Sequence, residues 1–144
     1  MKDFFDGLIP IIQKAVITDF QDIKKQVGGE KIYAAALVTD SDCITLGLWV
    51  NTIEQMMLDM DAKWMPDEWA YDTSVAGGTA DVSKLLFGKS RAIYKEANGA
   101  VADEVYEEFY NLFIETVTTA FRNLIQANAF GLAPRRHRIF SLHD

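Results

Sequence analysis

The chain has 144 residues, 49% hydrophobic and 24% charged, with a formal net charge of −7 and a sequence pI near 4.8. This is the composition of one ordinary folded domain, 1–144, large enough for a core; it argues against disorder and coiled coil. The acidic balance argues against general nucleic-acid binding and against an anionic membrane surface, because both need clustered Lys and Arg.

Cys43 is the single cysteine, which rules out an intramolecular disulfide or a thiolate metal cluster and fits a reducing cytoplasm. Lys2 is followed by Asp3 and Asp6, and the first apolar run is interrupted by Pro10, Gln13 and Lys14. That pattern reads as an amphipathic helix rather than a signal peptide. No run approaches the length of a transmembrane span, so the expected setting is soluble and cytoplasmic.

In the first segment, Phe5, Leu8, Ile9, Ile12, Val16, Phe20, Ile23 and Val27 recur at helical spacing. Pro10 suits a first turn, which places the regular helix from about Ile9, and Gly28-Gly29 ends it. Residues 31–39 (KIYAAALVT) and 44–51 (ITLGLWVN) are rich in strand formers, and Asp40-Ser41-Asp42-Cys43 supplies a hairpin turn between them. Thr52 is the expected N-cap of a short helix to about Met60, with Gln55 completing a capping box.

Residues 68–73 suggest a third strand with Pro66 at its start, and 74–79, containing Gly77-Gly78, a loop. A helix is expected from Asp81 to about Ala97, weakened by Gly88 and ended by Asn98-Gly99. The strongest helix runs from Asp103 to about Ala129, where Val105, Phe109, Leu112, Phe113, Val117, Phe121, Leu124 and Ile125 form a broad apolar face. Gly131 and Pro134 terminate it, and residues 138–142 offer a last strand. The order implies an α+β fold: a small, mainly antiparallel sheet of three to four strands, helices packed on one side, and a long C-terminal helix.

Chemical motifs are sparse. Gly88-Lys89-Ser90 matches only the end of a phosphate-binding loop, with Ser83 where the upstream glycine belongs and a helix where a strand belongs. Gly77-Gly78-Thr79 before a helix presents amides suited to an anion, although a simple turn explains two glycines as well. His137 and His143 are six apart, which does not place two ligands on one helical face. Cys43 with a histidine reads better as a small packing residue than as a nucleophile. Arg135-Arg136-His137-Arg138 is the only basic cluster and reads as a soluble tail or a partner for the chain's own acids.

Charge is the strongest signal. Nine acidic residues lie between Asp40 and Val82 (Asp40, Asp42, Glu54, Asp59, Asp61, Asp67, Glu68, Asp72 and Asp81) against Lys63 alone, so the flanks sum to about neutral. Neither Asp40/Asp42 nor Asp59/Asp61 continues into a calcium-loop pattern. The default reading of these acids is a solvated rim, but the same stretch holds Trp64, Trp69 and Tyr71, and acids beside aromatic rings suit the capture of a basic protein. Core packing is the competing reading for Trp49 and Trp69.

An aromatic-containing strand, Ile32 to Asp40, leads into a second with Thr45-Leu46-Gly47. A box Trp64-Met65-Pro66-Asp67-Glu68-Trp69-Ala70-Tyr71 follows, and the chain closes on Arg138 to Asp144. In this arrangement the chain resembles the small bacterial proteins grouped as domain of unknown function 4303. The resemblance implies no catalytic residue, and it fits an immunity protein that accompanies a toxin.

The leading expectation is a protein-binding domain that neutralises a basic toxin. Asp59, Asp61, Asp67 and Glu68 would steer the partner, Trp64 and Tyr71 would anchor it, and no cofactor, metal or nucleic acid would be involved. The alternatives are a carboxylate- or metal-dependent hydrolase using Asp40, Asp42 or Asp67, and a homo-oligomeric scaffold using residues 103–129. Sequence alone sets no oligomeric state.

Overall fold

In the computed structural model, residues 1–73, 76–97, 102–131 and 137–139 are described. Helix α1 (Lys2–Val27) leads to strands β1 (Ile32–Val38) and β2 (Gly47–Thr52), then a short helix α2 (Ile53–Leu58). Two 3-10 turns follow, Met60–Ala62 and Pro66–Glu68, and then strand β3 (Tyr71–Asp72). Helices α3 (Gly78–Ala97) and α4 (Ala102–Gln126) precede strand β4 (His137–Ile139). The strand order is β3-β2-β1-β4, antiparallel except where β4 runs parallel to β1. The α+β class with a mainly antiparallel sheet is therefore the observed one.

The sheet is covered on both faces. On the first face α1, α3 and α4 contribute Phe5, Ile12, Phe20, Leu86, Phe113 and Phe121 to a core closed by Ala35, Leu37, Leu48 and Val50. On the second face Tyr33, Ala34, Ala36, Val38 and Trp69 form a smaller cluster, with Trp49, Ile53 and Met56 packed against it. The three long helices thus share one side as expected, while short α2 lies on the other.

Helix α1 buries Phe5, Leu8, Ile12, Ala15, Val16, Asp19, Phe20, Ile23 and Val27, one stripe at helical spacing. It begins at Lys2, not near Ile9, and Pro10 sits inside it. Pro10 is on the exposed face, where water can solvate the carbonyl it leaves unpaired. Phe5 meanwhile anchors the first turn, edge-on to Phe109 of α4 at 5.1 Å. The ring pairs Phe5–Phe109 and Phe20–Phe130, with the Asn123–Gln13 hydrogen bond between them, ascend together, so α1 and α4 run side by side in the same direction. At its end Gly28 adopts φ +62 with ψ −123, a positive-φ conformation suited to glycine, so the helix stops at the Gly-Gly pair as expected but without the left-handed helical cap.

Three strand boundaries moved for local reasons. β2 starts at Gly47 because residues 44–46 bond elsewhere: Ile44 N–H donates to Asp40 Oδ1, Leu46 N–H donates to Ser83 Oγ, and the Thr45 carbonyl accepts from Thr39 Oγ1. β3 shrinks to two residues because Pro66–Glu68 closes a 3-10 turn, with Trp69 N–H donating to the Pro66 carbonyl. The last strand is His137–Ile139, one residue earlier than expected at its start; residues 140–144 lie outside the described residues, as do Asn98-Gly99 and Pro134. Gly88 does not interrupt α3, and a Cβ there would meet nothing within 4 Å.

Helix α3 starts at Gly78 rather than Asp81, and the cause lies in α1. The fully buried carboxylate of Asp19 accepts hydrogen bonds from Gly78 N–H (2.7 Å), Thr79 N–H (2.9 Å) and Thr79 Oγ1 (2.7 Å). A carboxylate at a helix N-terminus satisfies orphan amides and complements the helix dipole. The approach requires glycine. At Gly77 (φ +119) a Cβ would fall 2.6 Å from Asp19 Oδ1, and at Gly78 it would fall 2.8 Å from Ala15 Cα. Asp19→Ala should cost about 3 kcal/mol by orphaning these buried donors, and Gly78→Ala roughly 1–3 kcal/mol by overpacking. Urea unfolding measures both; an Asp19→Ala loss below about 0.5 kcal/mol, the range of ordinary surface changes, would mean the carboxylate is not holding α3.

Candidate functional site

The second face of the sheet owes its geometry to one irregularity in β1. Ile32 pairs with Thr52 but Ala34 pairs with Asn51, so Tyr33 is the extra residue of a bulge. Strict alternation would turn Tyr33 toward the helices, on the side of Ala35 and Leu37. The bulge sends it to the other side with Ala34 and Ala36. There its hydroxyl donates to the Lys63 carbonyl at 2.7 Å and accepts from Asn51 Nδ2 at 3.0 Å. Asn51 Oδ1 is a buried polar atom without a hydrogen-bond partner among the described residues.

This hydroxyl fixes the segment that crosses the face. Residues 59–68 are wound by successive tight turns, with Asp59 N–H donating to Met56, Ala62 to Asp59, Lys63 to Met60, Met65 to Ala62 and Glu68 to Met65. Trp69 is buried and its indole N–H donates to the Ala62 carbonyl at 2.9 Å, a second tie. Ala34 and Ala36 leave the room this ring occupies. Thr52 caps α2 through Gln55 N–H as expected, but the Gln55 side chain reaches Glu30 instead of closing a capping box.

The segment presents its polar and apolar residues outward. Asp59, Asp61, Asp67 and Glu68 are exposed, and no Lys or Arg among the described residues forms an ion pair with them. Trp64 stands edge-on to Tyr33 at 5.8 Å, and the Lys63 ammonium lies over its ring at 5.4 Å. Five of the six residues expected to bind a partner are therefore exposed within this one segment. Tyr71 does not join them: it packs against the helix-side core, and its hydroxyl donates to Glu30 Oε1 at 2.8 Å. Of the tryptophans assigned to packing, Trp69 is buried and Trp49 half-buried.

A family model described as domain of unknown function (DUF4303) matches residues 12–142. The chain belongs to this family. No curated protein and no solved structure matches it.

The other sequence candidates in this DUF4303 chain are occupied by structure. The amides of Gly78 and Thr79, suited to an anion, hold Asp19. Gly88-Lys89-Ser90 lies within α3, so its amides belong to the helix ladder. Asp40 accepts Ile44 N–H within its own turn, and no group of three His, Cys, Asp or Glu among the described residues is placed to hold a metal ion. The apolar face of α4 packs against α1 and α3, and no large apolar side chain of α4 is exposed among the described residues. Of the basic cluster, Arg135 and Arg136 lie outside the described residues, and only the backbone of His137 and Arg138, in β4, is described. No helix among the described residues is long and apolar enough to cross a membrane.

Sequence reading missed Asp19 and Glu30. An acid in the middle of an apolar stripe, between Val16 and Ile23, was the available signal for Asp19. Glu30 left none, because its three donors come from Thr52, Gln55 and Tyr71, far along the chain.

The Cys43 thiol is pushed up to about 12, first by burial and then by Asp40 and Asp42, so it stays protonated at neutral pH. Native protein should resist iodoacetamide and become reactive only in denaturant; rapid labelling of the folded form would restore Cys43 as a nucleophile.

Hydrogen bonds from Tyr71 and Thr52 hold the Glu30 carboxyl below its ordinary value of 4.5. A depressed carboxylate stabilises the fold above its unfolded value and loses that contribution as pH falls through the folded one. The stability gap between wild type and Glu30→Gln should be largest near neutrality and shrink below pH 4.5. A gap independent of pH would refute the assignment.

Proposed function

We propose that this protein is a cytoplasmic binding module that captures a basic protein partner. The proposed partner is a bacterial toxin that it neutralises, which makes the chain an immunity protein without catalysis or cofactor. The observation that carries this reading is the set of exposed carboxylates Asp59, Asp61, Asp67 and Glu68, held on one braced segment without ion-pair partners among the described residues. Charge displayed in this way raises the encounter rate with a basic surface and makes association sensitive to salt. The bracing supports the reading further, because a surface fixed before binding spends less of its contact energy on ordering. Lys63, the only cation between Asp40 and Val82, lies over the Trp64 ring and leaves the carboxylates un-neutralised.

The test takes the product of a toxin reading frame adjacent to this gene and follows association by stopped flow across a salt series. Reversing Asp67→Lys and Glu68→Lys together should slow association about tenfold at low salt and flatten its salt dependence. The dissociation rate should change less. An association rate and salt slope unchanged by the reversal would exclude steering by this segment.

A further inference from the structure

The carboxylates have an apolar companion. Five of the nine residues from Met57 to Met65 are large, apolar and exposed: Met57 (66%), Leu58 (80%), Met60 (56%), Trp64 (48%) and Met65 (44%). Single exposed apolar residues are ordinary, but a run of this size rimmed by polar groups marks a docking surface. Beneath it the chain is fixed by the Tyr33–Lys63 and Trp69–Ala62 hydrogen bonds and by buried Ala62 and Pro66. Above it the methionines are unbranched and polarisable, so they can reshape around an incoming apolar ridge. A fixed floor thus carries an adaptable lining.

We propose that this patch receives an amphipathic, basic helical segment of a partner protein, an inference that rests on the binding reading above. Charge decides the occupant. Exposed Asp59 and Asp61 lie within the apolar run and exposed Asp67 and Glu68 just after it, the complement of a helix whose apolar stripe is bordered by Lys or Arg. A second copy in a two-fold dimer would bring these acids face to face with their own kind. An anionic lipid surface would be repelled by the same rim. The apolar contacts would supply affinity and the carboxylates register, which separates this occupant from a merely basic surface.

The probes are three synthetic peptides: a helical leucine-lysine amphipath, a scramble of the same composition, and the amphipath with glutamate in place of lysine. Binding to the intact protein is followed by calorimetry and by the methionine methyl resonances. The amphipath should bind at least about tenfold more tightly than the scramble and shift Met57, Met60 and Met65, while the glutamate peptide should not bind. Met57→Ser with Leu58→Ser, at exposed positions that leave the core untouched, should weaken the amphipath about tenfold; Asp67→Lys with Glu68→Lys should weaken both basic peptides.

Equal affinity for amphipath and scramble would overturn the inference, as would indifference to the Met57/Leu58 change. If charge reversal still weakened binding in either case, the steering reading would stand without the apolar site. Failure of every basic peptide to bind would sink both. A concentration-dependent dimer lost on the Met57/Leu58 change would assign the patch to a second copy and overturn it as well.

Discussion

The carboxylate of Asp19 is the constraint on which the helical layer depends. It is buried in the apolar stripe of α1, and an isolated charge there would be strongly unfavourable. Three donors from the start of α3 remove that penalty, and in return the carboxylate sets where α3 begins. Thr79 extends the arrangement to the sheet, since its hydroxyl also contacts Thr73 Oγ1 at 2.9 Å, and Thr73 Oγ1 accepts from Leu48 N–H. One group thereby ties α1, α3 and the β2 edge together. The close contacts at Gly77 and Gly78 follow from it, because side chains there would separate the two helices.

The second face is built by different means. Among the described residues it has no buried charge, and it depends on small strand residues, one bulge and two hydrogen bonds to carbonyls of a tightly wound segment. The aromatic box is consequently divided. Trp64 and Trp69 serve the second face, whereas Tyr71, in the edge strand β3, serves the helix side through Glu30. Glu30 collects donors from β2, α2 and β3, so it closes the corner where α1 meets the sheet.

The legible parts of the fold were those governed by local pattern. The apolar stripes of α1 and α4, the Thr52 cap and the glycine stop at Gly28 are each decided by residues within a few positions of one another. What escaped was decided at long range. Pro10 could lie inside α1 only because Phe5 finds Phe109 about a hundred residues away in sequence. α3 could begin at Gly78 only because Asp19 reaches it. At the candidate site, the acids and Trp64 were visible from composition, but Met57, Leu58 and Met60 fell within an expected short helix whose pattern did not set which side was exposed. Only the structure separates Met56, packed on the second-face cluster, from its exposed neighbours.

The bulge at Tyr33 separates the work of one residue of β1 from the pairing of the rest. Ile32 and Ala34 would be consecutive, alternating pairs without Tyr33, so the bulge sets two neighbours, Tyr33 and Ala34, on one face while the pairing on either side does not need the extra residue. A substitution at Ala34 or Ala36 alters packing at one point. Deleting Tyr33 restores simple alternation with the rest of β1 on its own faces, and it leaves the Lys63 carbonyl without its donor. The extra residue is thus carried for the segment across the second face and not for the sheet itself.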